Sequence, residues 1–217
     1  FLGRFLCLEW LERMAAVGGR VTCIGRGHDA ADARRRIAAA YASGDPALEV
    51  RFAELAGQAL EVLPGDLSEP RFGLDETAWR DLAERVDAIV HPAALVNHVL
   101  SYQQLFGPNV AGTAELIRLA LAHRLKPFTF VSTMAAAYGP AGLIAEDADV
   151  RQATPARDVA GDGYAAGYAN SKWAAEVLLR EANAHFGLPV HVFRSDMILP
   201  HTRWRGQINA SDMFTRW

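Results

Sequence analysis

The sequence predicts a doubly wound α/β fold, a parallel sheet with helices on both faces. Three observations point there. Short apolar runs alternate with amphipathic stretches along the chain. The runs are apolar throughout, as strands covered on both faces require. The stretches between them are long enough for the right-handed crossovers that parallel strands need. Over 217 residues, 51% hydrophobic and 22% charged side chains are the balance of a soluble chain with a substantial core, not of a disordered one.

Residues 1–15 (FLGRFLCLEWLERMA) put Phe1, Phe5, Leu8 and Leu11 at helical spacing, and Gly18-Gly19 ends that helix. The short β-branched run 20–26 (RVTCIGR) reads as a strand. Residues 28–43 are rich in Ala and Arg behind an acidic first turn, which favours a helix. The alternation continues with strands at 59–64, 87–92, 127–132 and 189–194 and helices at 47–58, 75–86, 109–124 and 166–186. Residues 139–164 lack periodicity and are rich in Gly, Pro and Asp, the composition of a functional or mobile loop. The chain opens on Phe-Leu-Gly-Arg already in a helix and stops at Trp217 with no closing element. The expectation is therefore a sheet truncated at both ends, lacking its first strand and the Gly-rich turn after it.

The 22 basic and 25 acidic residues leave a net charge of -3, too little positive field for a nucleic-acid backbone or an anionic membrane. No apolar stretch is long enough to span a bilayer, and residues 1–20 carry charges where a signal peptide needs an unbroken apolar centre, so a cytoplasmic chain is expected. Cys7 and Cys23 sit singly in apolar runs and read as reduced core thiols. The seven histidines show no paired ligand spacing, so no metal site is expected. Of the basic residues only Lys126 and Lys172 are lysines. Where this chain needs positive charge alone it uses arginine, so each lysine calls for a reason.

Tyr168-Ala-Asn-Ser-Lys172 begins a helix and places Tyr and Lys on one face, one turn apart. An ammonium beside a phenol favours phenolate and lowers the phenol pKa from about 10 towards neutrality. Such a tyrosine can give a proton to an oxygen whose carbon receives hydride. A chance surface pair is the plain alternative; the scarcity of lysine and the strand ahead of the pair argue against it. That strand, 127–132, leads into Ser132-Thr133. Ligands in such sheets bind beyond the C-terminal strand edges, where Thr133, or Ser132 in its stead, can steady a developing negative charge.

Together, Phe1-Leu-Gly-Arg4, Arg26, Gly65-Asp66-Leu67, His91-Pro92-Ala93-Ala94, Asn109-Val-Ala-Gly-Thr113, Ser132-Thr133 and Tyr168-x-x-x-Lys172 resemble the extended short-chain dehydrogenase/reductases. More narrowly, His91-Pro-Ala-Ala-Leu-Val-Asn97-His, Gly167-Tyr-x-Asn-Ser-Lys-Trp173-Ala-x-Glu176 and Phe193-Arg-Ser-Asp196-Met-Ile-Leu resemble the thioester reductase domain of carboxylic acid reductases and related nonribosomal peptide synthetases. The resemblance implies a Rossmann-like NADP-binding domain over 1–200 and the start of a substrate-binding lobe over 201–217. It aligns Gly3 with the last glycine of the cofactor turn. It sets Arg26, where NAD-specific relatives carry an acid, against a 2′-phosphate, so that NADPH is the cofactor. Arg4 assists, Asp66 and Leu67 touch the adenine, and Pro92, Ala93 and Ala94 line the cofactor beside Ser132. Asn109 aligns with a helix asparagine that supports a proton path to the lysine, although Pro108-Asn109 also suits a helix N-cap. Asp196 aligns with an acid that monitors the acyl carrier arm.

The implied function is NADPH-dependent reduction of a carrier-bound acyl thioester to an aldehyde. Thr133 and Tyr168 hold the oxyanion, Lys172 tunes Tyr168 and contacts the ribose, and the hemithioacetal collapses to aldehyde and thiol. The implied partners are an acyl carrier (thiolation) domain bearing a phosphopantetheine arm and an adenylation domain of the same polypeptide. The alternatives are a relative acting on another substrate (a fatty acyl-CoA reductase, a nucleotide-sugar epimerase or dehydratase) or a non-catalytic NADP sensor. With a central strand missing, residues 1–217 alone are expected to aggregate and to bind NADPH negligibly.

Overall fold

The computed structural model describes residues 1–137, 145–153 and 165–209. They form an α/β chain of parallel sheets in two compact units, one of Phe1–Asp66 with the chain from Met197 on, the other of Leu67–Asp196.

In the first unit, helix α1 (Leu2–Ala16) leads into strand β1 (Val21–Gly25), then α2 (Ala30–Ala39), α3 (Pro46–Ala59) and β2 (Leu60–Pro64). Each helix start has a local cause. The Asp29 carboxylate accepts the Asp32 N–H ahead of α2. The Asp45 carboxylate accepts the Ala47 and Leu48 N–H groups ahead of α3, where Pro46 presets the first helical φ. β1 and β2 pair in parallel from Val21↔Leu60 to Gly25↔Pro64. Phe5, Leu8 and Leu11 of α1 join Leu48, Phe52 and Leu55 of α3 in the core, where Tyr41 stacks on Phe52 with ring centroids 3.7 Å apart. Burying each such side chain stabilises the unit by about 1.5–3 kcal/mol. Cys7 and Cys23 are free thiols whose Sγ atoms lie 3.8 Å apart.

In the second unit, α4 (Glu76–Arg85) precedes β3 (Ile89–His91). A continuous helical run follows: α5 (Tyr102–Leu105), a π-helical turn (Phe106–Ala111) and α6 (Gly112–Leu121). Then come β4 (Phe128–Thr133), the short α7 (Met134–Ala137) and α8 (Val150–Ala153), the long α9 (Ala166–Phe186) and β5 (Val190–Ser195). β4 lies between β3 and β5, parallel to both, from Ile89↔Phe128 on one side and Phe128↔Val190 on the other. α9 ends where Gly187 takes a left-handed φ of 69° that a glycine adopts without strain.

The strands and most helices fall where periodicity puts them, with three differences. The helix expected from 109 begins at Tyr102. Ser101 caps it in a reciprocal box with Gln104, and Pro108, having no N–H for the regular ladder, lies in the widened turn that carries the helix past Asn109. Of the loop 139–164, residues 145–153 are described and hold α8; the remainder lies outside the described residues, as do residues 210–217 of the expected second lobe. Finally, residues 201–209 pack with the first unit: His201 lies on the Phe5 ring at 4.4 Å, the Arg205 N–H reaches Asp45, and Trp204 covers the core.

Candidate active site

The face that α9 turns inward should by its spacing be apolar, and half of it is: Ala169, Ala175, Leu179 and Ala182 are buried. Asn170, Ser171, Lys172 and Glu176 are buried with them. Four polar side chains in a helix core need partners, and those partners make the site.

The start of α9 is held by backbone geometry. Ala165 takes a left-handed φ of 60° and its N–H donates to the His98 carbonyl at 3.0 Å. A Cβ on Gly167 would collide with the Leu100 carbonyl oxygen, so only glycine lets residues 100–102 cross the helix here. Tyr168 is thereby set beside His98, ring centroids 5.9 Å apart. Asn109, 2% exposed, ties three segments together. Its Oδ1 accepts the Leu95 N–H at 2.7 Å, and its Nδ2 donates to the Leu95 carbonyl and to Ser171 Oγ. Ser171 in turn donates to the Tyr168 carbonyl at 2.8 Å. Asn109 is thus no N-cap. It braces the loop after β3 against the turn of α9 that separates Tyr168 from Lys172.

Lys172 is 2% exposed and its Nζ lies 3.8 Å from the centre of the Phe130 ring on β4. Among the described residues no hydrogen-bond acceptor meets that ammonium. Burial pulls its pKa from 10.5 down to about 7, with the Glu176 carboxylate working the other way. The expected fall of the Tyr168 pKa is not found: burial pushes the phenol above its ordinary value. Helical spacing makes the two groups neighbours, but a lysine that is itself desolvated holds its charge weakly and lends the phenol little field.

His91, on β3, is buried too. Its Nε2 lies 3.1 Å from Thr113 Oγ1, whose hydrogen goes to the Asn109 carbonyl, so the ring donates to Thr113. Burial, with the Lys172 charge added, drives its pKa to about 3 and keeps it neutral.

The two candidate hydroxyls part company at the end of β4. Thr133 is half-buried, and its Oγ1 accepts the Ala135 N–H at 3.3 Å, leaving its own hydrogen uncommitted among the described residues. Ser132, expected at the cofactor, is instead 4% exposed and donates to Glu176 Oε1. Glu176 is fully buried and is gripped by Arg194 of β5, with Nη2 to Oε2 at 2.8 Å and Nε within 3.2 Å of both oxygens. Neither member of this ion pair has a role in the sequence reading. Both stand inside the motifs that carry the family resemblance, Glu176 one turn after Lys172 and Arg194 beside Phe193, but nothing local in the sequence pairs them.

Of the other cofactor candidates, Pro92 and Ala94 are half-buried and Ala93 is exposed just past β3. Leu67 backs onto Gly112, where an added Cβ would meet it at 3.1 Å. Asp196 is exposed one residue past β5. In the first unit, Gly3 lies in the first turn of α1 and Asp66 is half-buried past β2. Arg26 is exposed just past β1, with no hydrogen bond or ion pair among the described residues. Arg4 is not free to assist a cofactor: its guanidinium donates to the Ala40 carbonyl and to Gln207, each at 2.7 Å, and lies over the Phe1 and Phe5 rings. Among the described residues no cluster of three or more His, Cys, Asp or Glu side chains could hold a metal, and no helix is long and apolar enough to cross a membrane.

A protein-family model described as Male sterility protein matches residues 1–217. The chain is 55% identical over 217 residues to a carboxylic acid reductase of Segniliparus rugosus, covering all of this chain and 18% of that protein. It is 56% identical over 218 residues to an isonitrile lipopeptide synthase of Mycobacterium tuberculosis, covering all of this chain and 8% of that protein. The crystal structure of the reductase domain of a nonribosomal peptide synthetase from Mycobacterium tuberculosis superimposes with a TM-score of 0.89 at 52% identity, over all of this chain and 50% of that one. The chain thus spans about a fifth or less of the curated relatives it matches.

Proposed function

The chain belongs to the NAD-binding family described as Male sterility protein, and we propose that it is the cofactor-binding part of a terminal reductase domain that uses NADPH to reduce a carrier-bound acyl thioester to an aldehyde. The observation that carries this reading is the half-buried Tyr168 one turn from the buried Lys172 on α9, with Lys172 set against Phe130 of β4, in a chain 55% identical to a protein named carboxylic acid reductase.

The residues suit the cofactor. Lys172 presents a buried ammonium without an acceptor among the described residues, the partner that ribose hydroxyls need. Arg26 presents an unpaired guanidinium just past β1, the fork that fits a 2′-phosphate. A bound nicotinamide would supply the hydride that the thioester carbon receives. Thr133 and Tyr168 hold the carbonyl oxygen with hydrogen bonds that strengthen as its charge develops. Tyr168 then delivers its proton, and a phenol that burial keeps protonated is suited to the acid role. The resulting hemithioacetal splits into aldehyde and the thiol of a phosphopantetheine arm. That arm would belong to a thiolation domain, charged by an adenylation domain of the same polypeptide, and Asp196, exposed past β5, is assigned to sensing it.

The test is aldehyde formation by the full-length protein from an acylated carrier domain and NADPH. Tyr168→Phe is expected to lower turnover by about two orders of magnitude or more with little change in NADPH affinity. Near-wild-type turnover would overturn the assignment.

A further inference from the structure

We propose that Glu176 is a positioning residue of this site, its carboxylate clamped by Arg194 and Ser132 so that it fixes the charge and place of the Lys172 ammonium one turn away. This rests on reading Tyr168 and Lys172 as the working pair.

The geometry carries it. Lys172 and Glu176 are i and i+4 on the buried face of α9, where side chains at that spacing are neighbours. The Glu176 oxygens are already engaged: Oε1 by Ser132 and Arg194 Nε, Oε2 by Arg194 Nε and Nη2. The carboxylate therefore acts on the ammonium through its field while its own position is locked from two strands. Arg194, with 11% of its side chain exposed, also reaches the Ala148 carbonyl, so the clamp holds the segment before α8 as well. A fully buried carboxylate that served packing alone would be replaceable by an apolar side chain. This one lies within a turn of a lysine that burial alone would discharge.

Of the titratable groups on the elements packed against α9, Glu176 is the one whose negative field acts on Lys172. From β3 comes the neutral His91. From β4 come Phe130 and Ser132, neither ionisable in the working range. β5 contributes Arg194, bound to Glu176, and the exposed His191. α8 contributes Arg151, paired with Asp149 and Glu181. α6 contributes Glu115 and Arg118, paired with each other. α9 itself adds the protonated Tyr168. Burial pulls Lys172 down to about 7 and Glu176 is what opposes it.

The experiment is trace acetylation of the cofactor-free full-length protein across pH 5–10, with Lys172 followed by peptide mass spectrometry, alongside the pH profile of kcat/KM. Glu176→Gln keeps the shape and an oxygen for Ser132 and Arg194 but drops the charge. The labelling midpoint of Lys172 and the basic limb of the profile are both expected to move towards acid by about one pH unit or more. Arg194→Gln removes the competing positive charge and is expected to move both towards base, and it decides the matter where Glu176→Gln does not fold. Unmoved midpoints with only a loss of amplitude or of Tm would reduce Glu176 to a packing residue and overturn the proposal. If wild type reduces no acyl thioester, the functional reading has failed, while the labelling midpoints still decide on Glu176.

Discussion

The end of α6 and the middle of α9 each bury one of the chain's two lysines, and they use it in opposite ways. Lys126 is fully buried, and its Nζ donates to the Ala122 and Arg124 carbonyls at 2.6 and 3.1 Å, closing the chain just past the C-terminus of α6. Lys172 is as deeply buried, yet its ammonium meets an aromatic face and the field of a carboxylate. Burial alone therefore says nothing about function. What satisfies the charge does: a lysine whose donors are spent on carbonyls is a cap, and one whose donors are held in reserve suits the ligand role proposed for it.

The largest expected effect breaks this comparison directly. Lys172→Met in the full-length protein should lower turnover by about 10²–10⁴-fold while leaving Tm equal or higher, because an apolar chain replaces a desolvated charge that lacks acceptors. Lys126→Met should do the reverse: turnover per folded molecule is kept, and stability falls by about 1–3 kcal/mol as two carbonyls lose their donor. Turnover and Tm measured on both variants decide it; equal losses in the two would erase the distinction.

Next in size is the surface cation that stands outside both regions. Arginine supplies exposed charge in this chain, and Arg26, just past β1, is one of those with no hydrogen bond or ion pair among the described residues. Arg26→Asp is expected to weaken NADPH binding by roughly 30- to 1,000-fold and NADH binding far less. Equal losses for the two cofactors would remove Arg26 from the 2′-phosphate.

How much of this was legible beforehand differs between the two levels of structure. The elements could be read because their causes are local: apolar periodicity places α9 at Ala166–Phe186, and Asp45-Pro46 starts α3 within a residue of the expected position. Pro108-Asn109 misled because proline and asparagine look like a helix start, whereas a capping box seven residues earlier and a π turn carry the helix through. Within the site, Tyr168 and Lys172 were visible by spacing. The dielectric around them was not, so the direction of the phenol shift came out reversed. Arg4 resembled a cofactor ligand but is spent on Gln207, 203 residues away. The Glu176–Arg194 pair depends on where β5 lies against α9, a tertiary fact with no local trace.

The smallest expected effect is a pH dependence, and it sharpens the comparison because it sets activity against stability. The proposed chemistry needs Lys172 as ammonium, and that form is lost as pH rises through about 7. Tyr168, pushed up by burial, stays protonated well beyond that point. Hence kcat/KM for NADPH, which reports the free enzyme, should fall about tenfold per pH unit above neutrality. Stability runs the other way. The folded pKa of Lys172 lies below its unfolded value of 10.5, so between about 7 and 10.5 the unfolded chain binds more protons than the folded one, and the contribution of this lysine to stability rises with pH across that window. Lys172→Met should abolish the slope in activity and flatten the slope in stability, whereas Lys126→Arg should leave the slope in activity in place. A kcat/KM that stays flat to pH 9 in the wild type would show that Lys172 keeps its charge despite its burial, and the two lysines would no longer differ in the way their surroundings imply.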